Sequence, residues 1–69
     1  MDVVSDMVAK VWEVRVSAGE AVEEGDELLT LESMKMEIPV RAPAGGRVVA
    51  VNVATGETVG EGDVLLVID

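Results

Sequence analysis

A duplication constrains this chain more than any other feature. Residues 11–32, VWEVRVSAGEAVEEGDELLTLE, align without a gap on residues 48–69, VVAVNVATGETVGEGDVLLVID, at an offset of 37, and 11 of the 22 aligned pairs are identical. The matches include Gly19/Gly56, Val22/Val59, and Glu24-Gly25-Asp26 against Glu61-Gly62-Asp63. Two copies of one unit within 69 residues leave room for a single small domain. Each copy carries β patterning. Trp12, Val14 and Val16 alternate with Glu13, Arg15 and Ser17, and Val49, Val51 and Val53 repeat that parity. Gly19 and Gly56 follow where a tight turn needs a positive φ, and Gly25-Asp26 and Gly62-Asp63 mark second turns. Leu28 to Leu31 and Val64 to Ile68 then read as short apolar strands.

The same shift lays Val3-Val4 on Val40-Arg41, so each half opens with a further strand. No stretch shows a sustained helical stripe. The expectation is an all-β fold of two units, about 1–32 and 38–69, each supplying roughly four short strands. Neither sheet can bury its apolar face alone, so the two pack on each other as a sandwich or flattened barrel with a quasi-two-fold internal repeat. Shared parity with the valines assigns Trp12 to the core.

Composition removes several chemistries. The chain has no cysteine and no histidine, which excludes disulfides, thiolate metal sites, and Ser-His-Asp or Cys-His nucleophile systems. No metal site is expected, and catalysis by this chain alone is not. Net charge is −9, from 5 basic and 14 acidic side chains, which disfavours nucleic acid and anionic membrane as partners. That acidity either steers the domain toward basic surfaces or serves solubility. The opening MDVVSDMVAK is acidic and unlike a signal peptide, and the longest apolar stretch is Val64 to Ile68. A cytoplasmic location is the expectation.

The segment joining the halves, residues 33–37 within ESMKMEIPV (32–40), breaks the local rules. The chain must reverse around Met34-Lys35, yet two-residue hairpins favour Asn-Gly, Asp-Gly or Gly-X. Positive φ at a residue other than glycine costs on the order of 1 kcal/mol or more. Something other than turn stability therefore selects these residues. The repeat symmetry places this hairpin opposite Met1 and Asp69, with Lys35 projecting and only Glu32 and Glu37 near enough to pair with it. A lysine in water is almost wholly protonated at neutral pH, so it needs an activated acyl donor or an enzyme that desolvates it. The competing reading is a surface lysine beside two gap-filling methionines.

ESMKMEIPV closely resembles the attachment motif of the biotinyl/lipoyl carrier domains, in which the lysine of Met-Lys-Met receives biotin in amide linkage. The resemblance spans nearly the whole chain and includes both Val-x-x-Gly-Asp turns and APAGGRV (42–48). It implies a barrel-sandwich hybrid fold, with Lys35 as the biotin attachment residue. Met34 and Met36 would be recognition elements for biotin protein ligase, and Glu32 and Pro39 would support the hairpin. It further implies a carrier that is not an enzyme, a monomer when free, delivering CO2 between biotin carboxylase and carboxyltransferase. Two departures stand out. The family's glycine before the first long strand is Ala9 here, although Gly46 keeps it in the second half, so the first sheet is expected to turn differently near residue 9. No insertion interrupts residues 11–32, so the chain resembles the type without a thumb loop. Lipoyl carriers usually place an acidic residue before the lysine and a small one after it. Met34 and Met36 thus favour biotin, with lipoate the alternative and an unmodified interaction module the third reading. The fit of the repeat to the chain ends favours a separate protein over a segment of a longer one.

Overall fold

The computed structural model describes residues 1–69 and contains strands and turns only. Eight strands follow in order: β1 (Asp2–Val4), β2 (Ala9–Val14), β3 (Ala21–Val22), β4 (Glu27–Ser33), β5 (Met36–Arg41), β6 (Gly46–Val51), β7 (Thr58–Val59) and β8 (Val64–Ile68). They form two four-stranded antiparallel sheets, ordered β1-β8-β6-β3 and β5-β4-β2-β7. The all-β, two-sheet expectation holds. The halves, however, do not each make a sheet: every sheet takes two strands from each half. Backbone pairing between the halves therefore welds the repeats into one body.

The 37-residue repeat is visible in the hydrogen bonds. Val11 pairs with Leu31 as Val48 pairs with Ile68, and Val14 with Leu29 as Val51 with Leu66. Val40 faces Leu29 as Val3 faces Leu66. The Ser5 N–H donates to Asp63 O at 2.9 Å, and its counterpart, the Ala42 N–H, donates to Asp26 O at 2.8 Å. Both Gly-Asp turns are closed by their aspartate, which accepts from the Glu23 N–H at 2.9 Å and from the Gly60 N–H at 2.7 Å. Gly25 and Gly62 take φ values of 88° and 89°, the left-handed region that side chains disfavour. Ala9 opens β2 opposite Val59 as Gly46 opens β6 opposite Val22, so the first half does not turn differently at residue 9. A Cβ on Gly46 would collide with the Asp69 carbonyl oxygen and lie 2.7 Å from Ile68 Cγ2. At the equivalent place in the first half, Leu31 lacks that β-branch methyl.

The core lies between the sheets and is built from 14 buried apolar residues, with Leu28, Leu29, Leu65, Leu66 and Ile68 wholly enclosed. Trp12 is not among them. It is 50% exposed, and its repeat mate Val49 is 55% exposed. The cause is a β-bulge at the same place in both halves, between Val11 and Glu13 and between Val48 and Ala50. An extra residue reverses the inward parity, so Val11 and Val48 turn in and Trp12 and Val49 turn out. A uniform period of two across 12–16 misassigns that residue.

Candidate functional site

Strand β4 has the longest run of the chain, and its register with β5 fixes where the chain reverses. Thr30 faces Pro39, Leu31 faces Ile38, Glu32 faces Glu37, and Ser33 faces Met36 as the last pair. Met34 and Lys35 alone complete a two-residue turn, with φ of 52° and 65°. Two successive positive φ values are the mark of a type I′ turn, whose twist matches that of the flanking strands. The only non-glycine residues in the left-handed region are these two. Pro39 lies in edge strand β5, where a missing N–H does least harm to the ladder.

The electrostatics set the lysines apart from the arginines. Arg15 pairs with Glu13 at 2.9 Å and with Glu27 at 3.2 Å, while Arg41 pairs with Glu27 at 3.5 Å. Arg47 donates to Gly19 O at 2.6 Å. All three arginines are thus engaged, and the two lysines make no ion pair or side-chain hydrogen bond. Glu32 and Glu37 face each other across the hairpin, but neither binds Lys35. The lysines differ in their backbones. Lys10 is held in β2 between Glu32 of β4 and Thr58 of β7, whereas Lys35 crowns a turn. Only Lys35 can enter the cleft of another protein along with its flanking backbone.

Met34 and Met36 fill no gap. They are 90% and 60% exposed. Ser33 Oγ makes a long hydrogen bond of 3.5 Å to Val8 O, tying the hairpin to the segment between β1 and β2. Flexible apolar side chains held in water are the kind of surface a partner can contact. Sequence reasoning missed Ser33 and the 4–8 segment, because their closeness to the hairpin arises only when β4 meets that segment. A shallow groove of about 220 Å³ lies there, lined by residues 4–7 and by Leu31, Ile38, Pro39 and Val40. A free, exposed primary amine at the tip of a turn fits the chemistry of an amide-linked prosthetic group.

Comparison with known proteins agrees with this geometry. The family described as biotin-requiring enzyme, the biotin/lipoyl family, matches residues 2–68. The biotin/lipoyl attachment protein of Bacillus subtilis (strain 168) is 48% identical over 51 residues, covering 74% of this chain and 70% of its own. A biotinylated protein TB7.3 homolog of Mycobacterium leprae (strain TN) is 54% identical over 50 residues, covering 72% and 70% respectively. Among solved structures, the urea carboxylase of Kluyveromyces lactis contains a similar fold, with a TM-score of 0.92 and 30% identity. That match covers all of this chain and 6% of the carboxylase. The chain belongs to the biotin/lipoyl attachment family.

Proposed function

We propose that this protein is a biotin carrier, modified on Lys35 by a biotin protein ligase and serving a biotin-dependent carboxylase. The observation that carries this reading is the turn itself. A type I′ turn is built from Met34 and Lys35 where glycine or asparagine would be more stable, and both residues point into water. Modification needs the Lys35 amine to lose its proton and attack the carbonyl carbon of an activated acyl donor. A C–N bond forms, and the leaving group departs with its bonding pair. No carboxylate of this chain pairs with the Lys35 amine, so the ligase would desolvate and deprotonate it. Met34 and Met36 would supply apolar contacts for that docking, and Glu32 and Pro39 would hold the hairpin in register.

Bound biotin supplies a ureido nitrogen that accepts and releases CO2. The chain's own part is presentation: a rigid β scaffold, a protruding turn and a long tether that gives each active site a high effective concentration of the group. Biotin carboxylase and carboxyltransferase would supply the catalysis. The domain is read as one unit, half-repeats 1–32 and 38–69 joined by the 33–37 hairpin, working in the cytoplasm as a monomer when free. No helix is long and apolar enough to cross a membrane.

Incubation of purified protein with a biotin ligase, ATP and labelled biotin tests the reading. Label should enter the wild type and not Lys35→Arg. Lipoate is the second reading, because the family and the Bacillus relative embrace both groups. A parallel lipoyl ligase reaction separates the two, and incorporation of lipoate with exclusion of biotin would reverse the assignment.

A further inference from the structure

The groove beside the hairpin breaks the internal symmetry. Nearly every other feature occurs twice at an offset of 37: strands, bulges, turn glycines and capping aspartates. The groove occurs once, between the two halves beside the hairpin that bears Lys35. Val4-Ser5-Asp6-Met7 forms its wall, and the corresponding residues of the other half, Arg41-Ala42-Pro43-Ala44, form none. The wall is well held. Ser5 is buried, donates its hydroxyl to Met7 O at 2.6 Å and accepts from the Met7 N–H at 3.3 Å. The opposite wall belongs to the attachment hairpin, through Leu31, Ile38, Pro39 and Val40.

Reach links the groove to the attachment residue. Ile38 is three residues beyond Lys35, at most about 10 Å at ~3.3 Å per residue. A biotinyl-lysine arm has about ten single bonds between Cα and the bicyclic head, spanning ~12 Å at bond lengths near 1.5 Å. The lining matches an amphipathic head group: Met7, Ile38 and Val40 offer apolar surface, and exposed Asp6 offers a hydrogen-bond acceptor for a ureido N–H. We propose that the groove between residues 4–7 and the hairpin is a resting site for the head of the prosthetic group carried on Lys35 of the same chain. This inference rests on the carrier reading and deepens it. A parked head is shielded between dockings and must swing out to reach a partner, so its capture is slowed by the parked fraction.

The test compares unmodified and fully biotinylated protein, certified by intact mass, in amide and methyl NMR spectra. Parking predicts shift changes at Val4, Asp6, Met7, Ile38 and Val40, with cross-peaks from the biotin ring to the Ile38 and Val40 methyls. Asp6→Ala and Val4→Glu alter exposed side chains and should leave the remaining spectrum intact. Both should erase those cross-peaks and speed capture by streptavidin about two- to tenfold, the range for a head parked half to nine-tenths of the time. Shift changes confined to residues 33–37 in certified biotinylated protein, with capture rates equal in all variants, would overturn the resting site and leave the carrier reading standing. Failure of Lys35 to accept biotin would remove both.

Discussion

Met34→Asn should make this protein more stable while making it a poorer ligase substrate. Met34 holds φ at 52° with 90% of its surface in water, so its side chain contributes almost no burial to offset the strained backbone. A left-handed conformation costs a residue other than glycine roughly 1–2 kcal/mol, and asparagine relieves much of this through local hydrogen bonding. The net gain should be about 1 kcal/mol, or a rise of ~4–8 °C in Tm for a domain of this size. Urea and thermal unfolding followed by circular dichroism would measure it. The same variant should be biotinylated at least several-fold more slowly, since on the carrier reading Met34 would supply an apolar contact to the ligase. A variant that is no more stable than the wild type would refute the claim that the turn gives up stability for recognition.

Further outcomes follow from the same geometry. Lys35→Ala should abolish modification and change stability by less than about 0.5 kcal/mol, because the side chain is exposed and unpaired. Gly25→Ala meets open space but a φ of 88°, so strain alone should lower stability by ~1–2 kcal/mol in denaturant titration. Gly46→Ala would collide with the Asp69 backbone and should lose about 1–3 kcal/mol through overpacking, whereas Ala9→Gly should lose only about 0.5–1 kcal/mol. Glu27→Gln removes acidic partners from Arg15 and Arg41, yet both pairs are solvent-exposed, so unfolding should shift by under ~1 kcal/mol, and less at high salt.

Most of the fold was legible because the repeat imposes it. An offset of 37 carries strands, turns and glycines from one half to the other, and the structure obeys it down to single hydrogen bonds. What stayed hidden was relational. A bulge is defined by the partner strand, so Trp12 reads as inward until Val11 is seen facing Leu31. Interleaving of the halves depends on edge pairings such as β2 with β7 and β3 with β6, and these involve two-residue strands with no pattern to read. The Met34-Lys35 turn was legible for the opposite reason, because Met-Lys is a poor sequence for the reversal that its flanks require. The groove wall at residues 4–7 carried no signal at all, since its meaning comes from lying against Leu31 and Ile38.

Intact-mass spectrometry with peptide mapping, on protein from biotin-fed cells expressing a biotin ligase, tests the central claim most directly. The account predicts a single biotinyl mass shift, confined to the peptide holding Lys35, with Lys10 unmodified. An unmodified chain despite an active ligase, or biotin on Lys10, would contradict it.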